Sequence, residues 1–242
     1  MNSVSYQQRR GQIEHYFDRT AVRAWEQLTS NAPVSGIRAT VRAGRDRMRA
    51  TLMNWLPTDM HGLRLLDAGC GTAALAVEAA RRGADVVAID LSPQLVEVAR
   101  QRIESLPDGT ALLSRIKLRS GDMLDPALGS FDHVVAMDSL IHYSMDDAVR
   151  LLQTWSWRTR GTMAFTFAPR SPLLATMRSV GRLFPKANRA PWIEPMAEPV
   201  LRRMIGDTPE LSAWQTTRTQ RISSGFYTSQ ALELRRDGSG CI

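Results

Sequence analysis

Between Leu63 and Phe167 short apolar runs alternate with segments whose apolar residues recur every third or fourth position. The runs predict strands over 63–67, 85–90, 116–119, 131–136 and 161–167, and the periodic segments predict helices over 72–82, 92–105 and 145–157. Such alternation favours a mostly parallel α/β sheet with helices on both faces. Ahead of Pro57 the pattern is helical. Residues 12–28 align Ile13, Phe17, Ala21, Ala24 and Leu28; 29–35, with Pro33, form a turn; 36–56 align Ile37, Val41, Met48, Leu52 and Trp55. Beside the second stripe run Arg38, Arg42, Arg45 and Arg49, all on one helical face. Six prolines, from Pro172 to Pro209, break the alternation and mark an insertion at about 170–212 with room for two short helices. Residues 214–222 and 225–235 alternate like a closing antiparallel hairpin, which brings the expected sheet to seven strands.

The first predicted strand runs into LRLLDAGCGTAAL, residues 63–75. Glycines allow close backbone approach and a tight turn, and the following helix presents unpaired N–H groups. The second strand ends at Asp90, about 20 residues beyond Gly69, where a carboxylate can accept both hydroxyls of a ribose. This is a nucleotide-binding half of a doubly wound sheet. Ala74 takes the place of a third fingerprint glycine, and that alone does not exclude a dinucleotide. Asp67 is more informative: an acid at the strand end repels a pyrophosphate and attracts the cationic group of an amino acid.

On these residues DAGCGT resembles the first motif of class I S-adenosylmethionine-dependent methyltransferases. The resemblance implies that Asp67, Gly69, Cys70 and Gly71 lie against the methionine moiety, with Asp90 and Leu91 at the ribose. Asp122 would hydrogen-bond the adenine amine, and Met123 would pack on the ring. Taken singly, Asp67 and Asp122 could also cap turns. The fourth strand leads into MDSLIHY, residues 137–143, which should face the transferred methyl group because sites in this fold lie outside the carboxyl ends of the strands. Asp138 belongs there with the cofactor-binding residues. The Asn-Pro-Pro-aromatic motif of adenine and glutamine methylation is absent from this stretch. His142 is placed to act, although a lone histidine also serves as ordinary packing. Tyr143 reads as structural, and Asp146 and Asp147 as the acids that open the next helix.

Five stretches together resemble the magnesium-protoporphyrin IX O-methyltransferases of chlorophyll and bacteriochlorophyll synthesis. They are YFDRTAVRAWEQL (16–28), the loop region 65–100, DSLIHYSMDDAV (138–149), FAPRSPLLATMRSVGRLFPKANRAP (167–191) and SGFYTSQALELRR (224–236). Ala21-Val22 depart from the Gly-Phe usual in the family. The resemblance implies a Rossmann-like class I methyltransferase with residues 1–57 as an N-terminal helical lid and 58–242 as the cofactor-binding domain. It implies S-adenosyl-L-methionine as co-substrate, magnesium protoporphyrin IX as acceptor, and His142 with Tyr16 as the catalytic pair. Tyr16 can equally be a core aromatic. A flat, apolar macrocycle with anionic tails needs an apolar slot with polar groups at one edge. Leu173, Leu174, Met177, Phe184, Trp192 and Met196 of the insertion are candidates for that slot, or for packing the insertion on the sheet. No metal site is expected.

Composition narrows the partners. The net charge is +7, and all but Lys117 and Lys186 of the 31 basic residues are arginine. Positive charge favours carboxylates, phosphates or an anionic surface. The arginine stripe reads as a solvated face, a contact for propionates, or a dock for an acidic partner. Such partners are the porphyrin-binding subunit of magnesium chelatase and a photosynthetic membrane. Nucleic acid is disfavoured, because the stripe lacks interleaved aromatics apart from Trp55. No apolar run is long enough to span a bilayer, and no secretory pattern opens the chain, so a cytoplasmic location is expected. The cysteines Cys70 and Cys241 suggest no structural disulfide. A quinone-like methyl acceptor, or a porphyrin carrier without catalysis, remain the competing readings.

Overall fold

In a computed structural model, residues 4–16, 36–170 and 193–238 are described, apart from the side chains of residues 4, 5, 15, 16 and 37. The elements are α1 (Val4–Tyr16), α2 (Ile37–Trp55), β1 (Arg64–Ala68), α3 (Ala74–Arg81), β2 (Asp85–Asp90), α4 (Pro93–Glu104) and α5 (Gly109–Arg115). They continue with β3 (Ile116–Ser120), β4 (Phe131–Ala136), α6 (Met145–Ser156), β5 (Thr159–Phe167), α7 (Glu198–Gly206), β6 (Trp214–Ser224) and β7 (Tyr227–Arg236). The expected helix beyond Tyr16, the turn 29–35, residues 171–192 with Leu173, Leu174, Met177, Phe184 and Trp192, and Cys241 lie outside the described residues.

The seven strands run in the order β3-β2-β1-β4-β5-β7-β6. The first five are parallel, and β7 pairs antiparallel with both β5 and β6. β1 and β4 lie side by side at the centre although they are far apart in sequence, so the strand order reverses there and opens a crevice at their carboxyl ends. The near-continuous apolar character of these strands follows from burial on both faces: β1 is buried at four of its five positions, and Leu65 and Leu66 are fully enclosed.

Two apolar layers sandwich the sheet. One joins Leu66, Val134, Phe165 and Trp155 under α6 and α7, and also takes in Tyr6 and Ile13 of α1 and Met196 of the expected insertion. The other joins Met48, Leu52 and Met53 of α2 with α3, Leu65 and Val86. α2 is therefore integral to the core and packs along β6 and β7. The helix near the N-terminus begins earlier than expected: α1 starts at Val4 where the expected helix starts at 12, and the two share residues 12–16. Its buried anchors Tyr6 and Ile13 are seven residues apart, two helical turns, which is too sparse a stripe to stand out from sequence. The short helix α5 was not expected either, being a single amphipathic stretch of seven residues between two predicted elements.

The arginine stripe does not behave as one solvated face. Arg45 turns inward to Asp138 at 2.7 Å, and Arg49 pairs with Asp46 and Glu78. The inward turn is possible because α2 approaches β7 closely at Gly44. A Cβ there would lie 2.5 Å from Cδ1 of Tyr227 and 3.0 Å from Cβ of Ser224. Alanine is the better helix former by about 1 kcal/mol. Gly44→Ala should nevertheless lower stability in a urea titration, since the ring or the helix must move. A stabilised variant would contradict this packing.

Candidate active site

The crevice at the carboxyl ends of β1, β2 and β4 is a cleft of about 620 Å³, partly open to solvent. Its wall is built first from the glycine loop. The amides of Gly69 and Cys70 both donate to the carbonyl of Ile89 at 2.9 Å, and the amide of Gly71 donates to the carboxylate of Asp90 at 2.9 Å. The loop of β1 is thus tied to the end of β2. Gly69 has φ +77°, and a Cβ on it would stand 2.4 Å from Cβ of Ser139. Only glycine fits both the backbone and the space. Ala73, at φ 58°, completes the turn into α3 and leaves that helix without a side-chain cap.

Asp90 lines the cleft and also accepts the amide of Ser92 at 3.0 Å. Burial pushes its pKa up, against the three amides that hold it. Leu91 and Met123 lie on the same wall with Leu95, so an apolar slot adjoins the carboxylate. Asp138, Ser139 and His142 line the opposite side, at the end of β4, with Met137 and Tyr143. His142 is 7% exposed and ends a 3₁₀ turn, Leu140–His142, that Ser139 opens. Ser144 then caps α6 by accepting the amide of Asp147, and Asp146 and Asp147 sit in that helix's first turn as expected. The hydroxyl of Ser139 is buried without a hydrogen-bond partner among the described residues.

Two acids stand differently from the expectation. Asp67 does not line the cleft. It is 2% exposed behind the loop, where it accepts the amide of Ala76 at 3.2 Å, and burial pushes its pKa up to about 7. Its part is to brace the first turn of α3 from within. Cys70 is half-buried, with its thiol pKa pushed up by burial and by the nearby Asp67 and Asp90 carboxylates. Asp122 is covered by α1. Its carboxylate accepts the Tyr6 hydroxyl at 2.7 Å, the Arg10 guanidinium at 3.2 Å and the amide of Leu124 at 2.9 Å.

Tyr6 also stacks on Tyr143 with ring centroids 5.3 Å apart, and burial raises the pKa of both phenols. With Ile13 it closes the cleft from the side of α1. Neither the role of Tyr6 nor that of Ser139 was anticipated, because only the fold brings residues 6, 122 and 143 together. Tyr16 is the last residue of α1, and its side chain lies outside the described residues.

A glycine cradle that a Cβ would fill, a carboxylate at the end of the second strand and an apolar slot beside it fit S-adenosylmethionine. They define a class I methyltransferase. Comparison with known proteins narrows the class. A family model for the magnesium-protoporphyrin IX methyltransferase C-terminus matches residues 136–236, and a general methyltransferase-domain model matches 65–160. The magnesium-protoporphyrin O-methyltransferase of Rhodobacter capsulatus is 47% identical over 95% of this chain and 98% of its own length. The Synechocystis protein of the same name is 26% identical over 93% of this chain and 95% of its own. The crystal structure of magnesium protoporphyrin IX methyltransferase from Synechocystis with bound SAH superposes with a TM-score of 0.79 at 25% identity, covering 94% of this chain and 99% of that one. The chain belongs to the magnesium-protoporphyrin O-methyltransferase family.

Two outcomes follow. Asp90→Ala should weaken S-adenosylmethionine binding by about tenfold or more in calorimetry, the cost of losing a charge-assisted hydrogen bond. Unchanged affinity would contradict the placement of the cofactor. The second concerns pH. Asp67 binds its proton more tightly folded than unfolded, so its contribution to stability falls as pH rises from near its ordinary value, 3.8, to about 7. Asp67→Asn keeps an acceptor for Ala76 and removes that loss. Its melting temperature should gain on the wild type between pH 5 and pH 8. A pH-independent difference would show that the carboxyl carries no such penalty.

Proposed function

We propose that the chain transfers the methyl group of S-adenosyl-L-methionine to a propionate carboxylate of magnesium protoporphyrin IX, giving the monomethyl ester. The observation that carries this reading is the extent of the family likeness. It runs through the residues after β4 and along nearly the whole chain, beyond the cofactor-binding half that methyltransferases of many substrates share.

S-adenosylmethionine, when bound, supplies a methyl carbon on a cationic sulfur, which leaves with the bonding pair as the acceptor's oxygen forms the new bond. What the protein must add follows from the acceptor. A propionate has a pKa near that of Glu, about 4.3, and is ionised at neutral pH. It needs no strong base. It needs water removed and one oxygen aimed in line with the carbon–sulfur bond. Ile13, Leu91, Leu95, Met123 and Met137 give the cleft the apolar walls that exclude water. Asp90 and the glycine loop hold the ribose and methionine ends. His142, at the mouth of β4, orients the carboxylate and takes up a stray proton. Tyr16 is assigned to the same task on the strength of the family resemblance.

The substrate is lipophilic and the protein carries a net charge of +7. Both support peripheral contact with an anionic membrane, and receipt of substrate from the porphyrin-binding subunit of magnesium chelatase. No helix among the described residues is long and apolar enough to cross a membrane.

Purified protein incubated with magnesium protoporphyrin IX and S-adenosylmethionine should yield a pigment heavier by one methyl group, detected by chromatography with mass detection. If no ester forms while the cofactor still binds, a quinone-like acceptor takes the porphyrin's place. If the cofactor does not bind, the chain is a carrier. In the same assay His142→Ala should lower kcat by about 10²-fold with little change in cofactor affinity. Activity near that of the wild type would remove His142 from its role.

A further inference from the structure

Asp138, two residues past the end of β4, holds a left-handed conformation, φ 56°, which costs energy for any residue with a side chain. It is also the meeting point of four elements. Its amide donates to Oγ1 of Thr166 in β5 at 2.7 Å, and that hydroxyl is 3.3 Å from Oδ1. Arg45 of α2 reaches Oδ2 at 2.7 Å. The hydroxyl of Tyr227 in β7 stands 3.1 Å from Oδ1 and 3.3 Å from Oδ2, and that of Ser229 stands 3.3 Å from Oδ1. The Asp138 side chain is 4% exposed and that of Arg45 16%. A carboxylate with this many donors and so little solvent is a device for fixing geometry. A buried ion pair adds little net stability against an apolar substitute, and fixing one arrangement is its better attested use.

The arrangement fixed here is the active-site turn. One residue after Asp138, Ser139 meets Gly69 of the cofactor loop; four residues after it, His142 ends the 3₁₀ turn in the wall of the cleft. The direction in which the chain leaves Asp138 sets where both side chains point. We propose that Arg45 and Tyr227 are positioning residues for methyl transfer, clamping Asp138 in its left-handed turn and thereby aiming the 139–142 segment at the reacting atoms. Asp138 then spends its carboxylate on the clamp, and its share in the cleft is its backbone and position. The close packing of Gly44 on the Tyr227 ring keeps the phenol in register with the carboxylate. Burial and the adjacent Asp138 keep that phenol protonated, so it remains a donor. Arg45 extends the clamp to α2, so the segment before β1 has a direct hold on the turn after β4.

The inference rests on the reading of the cleft as a methyl-transfer site, and it is tested at saturating S-adenosylmethionine and magnesium protoporphyrin IX. Arg45→Met removes the charge and keeps the length of the side chain; Arg45→Lys restores the charge; Tyr227→Phe removes one hydroxyl. A displacement of about 1 Å in a reacting group costs about 10²-fold in rate. Arg45→Met should therefore lose about 10²-fold in kcat, with the KM for S-adenosylmethionine within roughly threefold of wild type. Arg45→Lys should recover most of that loss. Tyr227→Phe should lose about tenfold in kcat at a melting temperature close to that of the wild type. Tyr227 is also the recourse if Arg45→Met does not fold. A purely structural role predicts the opposite: lower melting temperatures with kcat per folded molecule unchanged. That result, or an Arg45→Lys enzyme as impaired as Arg45→Met, overturns the proposal. A wild type that makes no ester would overturn the reading of the site itself, so the two failures are distinguishable.

Discussion

Three successive amides of the loop after β1, those of Gly69, Cys70 and Gly71, are bound to the end of β2, two by the carbonyl of Ile89 and one by the carboxylate of Asp90. Everything else in the site depends on that tie. It closes the loop flat against the neighbouring strand, brings Gly69 within reach of Ser139 at the end of β4, and leaves Asp90 facing the crevice with lone pairs to spare. A side chain at Gly69 would push β1 and β4 apart at the point where the strand order reverses. The position of the crevice is therefore set by the topology, and its width by a missing Cβ.

The charges are arranged around this tie in opposite senses. The protein is basic as a whole, yet four acids, Asp67, Asp90, Asp122 and Asp138, stand at or behind the cleft. Each is held by different donors: one amide at Asp67, backbone amides at Asp90, a tyrosine and an arginine at Asp122, an arginine and hydroxyls at Asp138. A cationic co-substrate finds negative charge where it seats, while an anionic acceptor meets a protein of net positive charge. A cleft with apolar walls then suits a reaction in which a sulfonium and a carboxylate neutralise each other, since bringing opposite charges together is favoured where water is excluded.

The parallel strands and their helices were legible because burial on both faces writes an apolar run, and a helix between runs writes its own period. β4, Phe131–Ala136, matches its expected limits, and Asp90, Leu91, Met123, Asp138 and His142 reach the cleft from the loops expected to carry them. Asp67 was visible as an acid at a strand end but not as a buried one, because nothing local distinguishes a carboxylate facing a ligand from one facing a helix N-terminus. Tyr6 and the part of α1 ahead of residue 12 were missed because a helix held by two anchors, one of them donating to a residue 116 positions away, has little local pattern. Arg45 lay in full view within an arginine stripe, yet its partner at Asp138 is 93 positions distant. Contacts of this kind are properties of the tertiary fold, and charge spacing along one helix does not report them.

The central claim is that the crevice between β1 and β4 seats S-adenosylmethionine with its reactive end toward His142. A crystal structure of the protein with S-adenosylhomocysteine tests it most directly. The ribose hydroxyls should lie on the Asp90 carboxylate, the adenine between Leu91 and Met123, and the sulfur should face the side of the cleft that carries His142. A ligand whose ribose makes no contact with Asp90, or whose sulfur points away from the turn after β4, would contradict the account.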